Sequence, residues 1–137
     1  MARKALLDTG FLVALVNAAD PDHAPCKAVW SSLRARLFTV EGVLVEASHL
    51  LSRAPGGSEA ALGLVLDAGA TLVGPTEERL RRARALMGKY RDTPMDLVDA
   101  LLVVTAEEQE TTEILTLDRR GFDTYRIGGR KRFTVLP

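Results

Sequence analysis

The chain has 137 residues, of which 47% are hydrophobic and 26% charged, and its 18 basic and 18 acidic side chains give a formal net charge of zero. That composition suits one globular domain with a buried core, expected to span residues 1–137, and it excludes a bulk electrostatic pull toward nucleic acid or membrane, so any basic surface must be local. The single cysteine, Cys26, excludes an intramolecular disulfide and fits a reducing compartment.

Arg3 and Lys4 precede an apolar stretch that leads to Ala18-Ala19, the outline of a signal peptide. Asp8 interrupts that stretch, and Gly10 and Asn17 shorten it, so it reads as strand followed by helix. No run reaches the ~18 apolar residues of a membrane span, and a cytoplasmic setting without membrane contact is expected.

Residues 4–8 read as a first strand with Asp8 at its carboxyl end, followed by a turn at Thr9-Gly10. Residues 11–17 read as helix, with Phe11, Ala14, Leu15 and Ala18 on one face. In the turn Asp20-Pro21-Asp22-His23, Asp22 suits the cap of a second helix over about 23–36, marked by Cys26, Val29, Trp30, Leu33 and Leu37. Residues 37–39 leave room only for a brief strand. A third helix over about 41–53 ends at Ala54-Pro55-Gly56-Gly57, and a fourth over 58–68 ends at Gly69. Residues 70–73 read as strand, and Thr76 opens a fifth helix with Leu80, Ala83, Met87 and Tyr90 on its apolar face. Thr93-Pro94-Met95-Asp96 predicts a sixth helix to about 108, with Thr93 at the N-cap, Pro94 at N1 and Asp96 at N3. Residues 113–117 form a strand that ends in Asp118, and 132–136 form the last strand. Strands alternating with helices predict a three-layer α/β/α domain with a mostly parallel sheet of about four or five strands.

Ligands of open α/β sheets bind outside the carboxyl ends of the strands, where Asp8 and Asp118 fall. The plain alternative for each is a turn or cap aspartate. Glu46 shares a helical stripe with Gly42, His49 and Arg53, either a solvated face or the wall of a polar cleft, in which His49 could support the acid. Asp96 and Asp99 are three apart, so both reach one helix face. Asp96 has a ready explanation as a helix-start acid. Asp99 stands beside Val98, Ala100, Leu101 and Leu102, where a carboxylate is costly unless paired or bound to a cation, and is the stronger candidate.

Such a cluster suits metal-assisted phosphodiester hydrolysis, in which a cation neutralises phosphate oxygens and activates water. Mg²⁺ and Mn²⁺ take oxygen ligands, and with only two histidines in the chain a His-rich zinc site is disfavoured. No P-loop or G-x-S-x-G motif is present. Residues 118–132 hold six basic and two acidic residues, placing local positive charge beside Asp118 where a phosphate backbone would need it. Residues 79–91 hold six basic residues and no acid, a pattern that an ordinary solvated helix face also explains.

On these residues the chain resembles the PIN-domain ribonucleases, above all the VapC-like toxins of toxin–antitoxin pairs, over essentially its whole length. Leu6-Leu7-Asp8-Thr9 resembles the family's first-strand motif, Val45-Glu46 with Leu50-Leu51 its helical glutamate, Asp96-Leu97-Val98-Asp99-Ala100 its D-x-x-D-A helix, and Leu115-Thr116-Leu117-Asp118-Arg119 its strand-end acid. The resemblance implies an endoribonuclease with Asp8, Glu46, Asp99 and Asp118 as catalytic acids. Mg²⁺ or Mn²⁺ would be held by this set, with Asp96 contributing, and Thr9 and Thr116 would be supporting hydroxyls. Arg119 and Arg120 are the candidates for the RNA backbone. Gly121-Phe122 departs from relatives that carry a polar residue before the aromatic, a change expected to touch the loop and not the ligands. The resemblance also implies a cognate antitoxin and a homodimer. Apolar residues around 11–15 and 26–37 exceed what a small sheet covers and point the same way. Two rivals are a PIN-like module that only binds RNA or protein, and another acid-cluster enzyme. A haloacid-type phosphatase would carry D-x-D after the first strand, whereas Asp8 is followed by Thr9-Gly10.

Overall fold

The structure, a computed structural model, describes residues 2–137. Its centre is a five-stranded, wholly parallel sheet. The strands are β1 (Lys4–Leu7), β2 (Arg36–Val40), β3 (Thr71–Val73), β4 (Glu113–Leu115) and, after a small hairpin, β7 (Thr134–Leu136). Their order across the sheet is β3-β2-β1-β4-β7. The chain therefore builds outward from β1 in one direction, then crosses back to lay β4 on the other side of β1. The switch point lies between β1 and β4, paired at Leu6 with Ile114 and at Leu7 with Leu115. Crevices outside the strand ends at such a point are where open α/β sheets bind ligands.

The helices form two groups. α1 (Thr9–Val16), α2 (His23–Ser32), α3 (Glu41–Leu50) and α4 (Gly57–Asp67) pack on one another. α5 (Glu77–Lys89) packs on α6 (Leu97–Gln109), and α6 also contacts β1 and β2. Seven consecutive residues of α6, from Ala100 to Ala106, are buried. A helix apolar all round is one covered on every side, and this one has the sheet beneath, α5 beside it and the hairpin against it. Its one buried hydroxyl, on Thr105, donates to the Leu101 carbonyl at 2.8 Å.

Several boundaries differ from expectation. No turn follows β1: α1 starts at Thr9, because Asp8 caps it directly and accepts from the Thr9 N–H at 2.8 Å. α2 ends at Ser32, and Leu37 belongs to β2, the longest strand instead of a brief one. α3 stops at Leu50. β4 ends at Leu115, and Asp118 caps a short helix α7 (Arg119–Thr124) that periodicity did not reveal in a six-residue segment. The expected strand over 132–136 divides into β6 (Lys131–Arg132), paired antiparallel with β5 (Arg126–Ile127), and β7. Phe133 between them is buried, stacked edge-on against Phe122.

The largest correction is at the start of α6. Asp96, not Thr93, is the N-cap, and Asp99 is N3. A helix starting at Pro94 would direct the Pro94 carbonyl to the N–H of residue 98. That carbonyl instead accepts the Tyr125 hydroxyl at 2.6 Å. The two aspartates then cap each other reciprocally: Asp99 N–H donates to Asp96 Oδ1 at 2.9 Å, and Asp96 N–H to Asp99 Oδ2 at 3.1 Å.

Candidate active site

Four chain segments deliver carboxylates to one cleft at the switch point. Asp8 comes from the end of β1, Glu46 from α3, Asp96 and Asp99 from the start of α6, and Asp118 from the start of α7. The cleft has a volume of about 380 Å³ and is also lined by Thr9, Gly10, His49 and Leu50.

The two threonines join acids of different chain segments. Thr116, next along from β4, donates its hydroxyl to Asp8 Oδ2 at 2.6 Å and accepts the Asp118 N–H at 3.0 Å. Thr9 donates to Glu46 Oε1 at 2.7 Å. Asp118 Oδ1 in turn accepts the Gly121 N–H at 3.0 Å. Glu46, Asp96, Asp99 and Asp118 thus each keep one oxygen that takes no hydrogen bond among the described residues. His49 is exposed at the rim, and Arg53 lies past the end of α3.

Among the described residues no lysine or arginine pairs with these acids. The ion pairs among the described residues are Arg3–Glu113, Arg79–Glu108, Arg81–Glu77 and Arg82–Glu107, all away from the cleft. Burial is the largest influence on two of the acids. It raises the Asp8 carboxyl above its ordinary range, with the charges of Asp118 and Glu46 adding and the bonds from Thr116 and Thr9 pulling back. It pushes Asp99 up to about 8, with Asp96 and Asp8 adding repulsion and the Asp96–Asp99 backbone bond opposing. The nearby Tyr125 hydroxyl is likewise raised, by burial first and then by Asp99 and Asp118.

The donor set fits a hard divalent cation: oxygen only, high in negative charge, with uncommitted oxygens and no protein cation. The convergence expected for Asp8, Glu46, Asp99 and Asp118 is met as a shared cleft and not as a finished coordination group. Among the described residues no three acidic, histidine or cysteine side chains form a ready ion-holding set. Both oxygens of Asp8, and one each of Glu46, Asp96, Asp99 and Asp118, are hydrogen-bonded to their own or a neighbouring chain segment.

Two residues here were not legible as site residues. Gly121 was expected to touch only the loop. A Cβ built at that position would stand 2.5 Å from Asp118 Oδ2 and 3.0 Å from the Tyr125 hydroxyl, so the bare Cα is what leaves the carboxylate its place. Tyr125 is completely buried and carries the bond to Pro94. Its only sequence trace is an aromatic residue in a basic, polar tail. Of the two arginines, Arg120 is exposed, and the Arg119 guanidinium donates to the Pro137 carbonyl.

Fold and cleft together define a parallel α/β protein with an acid cluster at its switch point. Residues 5–127 match the PIN domain, and the chain belongs to that family. It is 35% identical over 134 residues to Ribonuclease VapC26 of Mycobacterium tuberculosis, covering 96% of this chain and 99% of that protein. Two solved structures share the fold. The crystal structure of Mycobacterium tuberculosis VapC20, a Sarcin-Ricin loop cleaving toxin, superposes with a TM-score of 0.77 at 24% identity, over 85% of this chain and 92% of that one. A toxin–antitoxin complex from Klebsiella pneumoniae gives 0.67 at 17% identity, over 97% and 96%.

Proposed function

We propose that this chain is a Mg²⁺- or Mn²⁺-dependent endoribonuclease and the toxin of a toxin–antitoxin pair, folded as one domain. The observation that carries the reading is the cleft itself: five carboxylates from four segments, none paired with lysine or arginine. The family match and the 35% identity to a ribonuclease over nearly the whole chain support it. Asp8, Asp96, Asp99 and Asp118 would hold the cation, which when bound supplies charge neutralisation at the phosphate and activation of water. Glu46, steadied through Oε1 by Thr9, keeps Oε2 to accept a proton from the attacking water. Thr116 fixes Asp8 and, through its backbone bond, Asp118. Arg120 and the tethered Arg119 offer charge to the RNA backbone where it enters beside Asp118.

A cytoplasmic setting accompanies this reading, and no helix among the described residues is long and apolar enough to cross a membrane. The antitoxin partner rests on relatives solved as toxin–antitoxin complexes. The deciding experiment is cleavage of a mixed RNA pool with Mn²⁺ and with EDTA, beside calorimetric titration of Mn²⁺ into the protein. Cleavage is expected with Mn²⁺ and not with EDTA. The incomplete coordination set keeps one alternative in play, a binding-only PIN-like module. That module would retain RNA without cutting it and show no Mn²⁺ isotherm.

A further inference from the structure

We infer that Tyr125 is a positioning residue for the cation site, its hydroxyl setting the separation of the Asp118 wall from the Asp96–Asp99 wall, with Gly121 as the seat that makes this possible. The inference rests on the cation-dependent reading above and adds residues outside the acid set.

The two walls belong to different helices. Asp118 caps α7, and Asp96 with Asp99 caps α6. Each cap is satisfied within its own helix start, so neither bond fixes one wall relative to the other. Tyr125 spans the gap. Its N–H donates to the Gly121 carbonyl at 2.9 Å, closing α7. Its hydroxyl donates to the Pro94 carbonyl at 2.6 Å, two residues before Asp96. Among the described residues this is the hydrogen bond that ties residues 94–99 to any other wall of the cleft.

The ring has little freedom to release that bond. It is fully buried, with Tyr90 and Phe122 each edge-on at 5.2 Å between ring centres. Tyr90 is itself held, its hydroxyl accepting the Arg126 N–H at 3.0 Å. The Tyr125 hydroxyl and Asp118 Oδ2 crowd the same point, the place a Cβ on Gly121 would take. Any side chain there must move the carboxylate or the tyrosine. Glycine at 121 and tyrosine at 125 therefore work as a pair: one clears the space, the other spans it.

The test uses the full-length chain with Mn²⁺ as probe. Tyr125→Phe removes only the hydroxyl. Outer partners of metal ligands typically change affinity by 10–100-fold, and a residue acting through backbone should fall at the low end, so Mn²⁺ affinity by calorimetry is expected to fall roughly tenfold. The turnover number for RNA should fall while KM changes little, since the RNA contacts are untouched. Gly121→Ala, which keeps the hydroxyl and displaces Asp118, should weaken Mn²⁺ binding similarly, and it stands in if Tyr125→Phe does not fold. Thr111→Val is the control. It removes a hydroxyl-to-carbonyl bond of the same kind, from Thr111 to Lys4 at 2.7 Å, outside the acid cleft, and should lower the melting temperature without changing Mn²⁺ affinity. If folded Tyr125→Phe and Gly121→Ala both bind Mn²⁺ within about twofold of the parent, or if Thr111→Val weakens binding as much, the positioning role is wrong while the cation-dependent reading stands. A parent protein that binds no Mn²⁺ overturns that reading and this one with it.

Discussion

Asp99 carries a large burial penalty in the cleft. In the unfolded chain its carboxyl ionises near its ordinary value of 3.8, whereas in the folded protein it keeps its proton up to about 8. Between those values the folded state binds more protons than the unfolded one, so stability falls as pH rises across that window. Asp8 is shifted in the same direction and adds to the trend. Denaturant melts of the apo protein should therefore give a higher midpoint at pH 5 than at pH 8. Asp99→Asn should flatten that dependence, melting above the parent at pH 8, and should lose both Mn²⁺ binding and cleavage. Equal pH slopes for parent and variant would refute the burial argument. Asp96 differs because it is exposed and serves as the N-cap. Asp96→Ala removes a cap worth about 1 kcal/mol, typically 0.5–2. It should lower stability measurably at every pH while reducing activity less than Asp99→Asn does.

At the scale of elements, the site depends on how closely α3 and α6 approach. Gly42, in the first turn of α3, faces Val98 in the first turn of α6, and a Cβ on Gly42 would stand 2.7 Å from Val98 Cγ2. Valine is stiff about χ1, so the contact cannot be relieved by a simple rotation. Glu46 lies one turn along α3 from Gly42, and Asp99 is the residue after Val98, so spreading these helices spreads two acids. Gly42→Ala should cost about 1–3 kcal/mol as overpacking, less what alanine gains as a helix former. Val98→Ala on the same background should return most of the loss. A double-mutant cycle by denaturant melts measures this coupling, and additive effects would show that the two helices do not touch there.

At the scale of the molecule, the dimer that the sequence leads one to expect needs a different surface from the one the apolar pattern suggested. Phe11, Leu12, Ala14, Leu15 and Cys26 are all buried within one chain, where α1 lies against α2, α3 and α4, and Leu37 is buried in the sheet strand β2. The surplus of exposed apolar side chains is on α3, α4 and the edge strand β3: Val45, Leu50, Leu62, Leu66 and Leu72, with Leu66 the most exposed at 69%. An edge strand and apolar helix residues left open in this way favour association. Light scattering at micromolar concentration is expected to give a dimer for the parent and a monomer for Leu66→Glu. A dimer that survives Leu66→Glu would place the interface elsewhere.

Much of this protein is local and was legible in the chain. The apolar runs that end at Asp8 and near Asp118, the helix carrying Glu46, and the i, i+3 spacing of Asp96 and Asp99 follow from side-chain period and from where carboxylates interrupt it. Those signals need no partner, so they survive without the fold. The start of α6 was different: Thr93-Pro94 offered a sound local cap, but the reciprocal Asp96–Asp99 cap starts the helix later, and the Pro94 carbonyl bonds the Tyr125 hydroxyl from 31 residues away. Gly121 was equally opaque, since its meaning lies in the Asp118 carboxylate and the tyrosine that share its space. The strand order, and with it the switch point that brings Asp8 beside Thr116 and Asp118, was likewise settled only by long-range pairing. Sequence periodicity reports which face of an element is apolar. Which element meets that face, and which hydrogen-bonding group reaches a carbonyl first, is decided by tertiary packing.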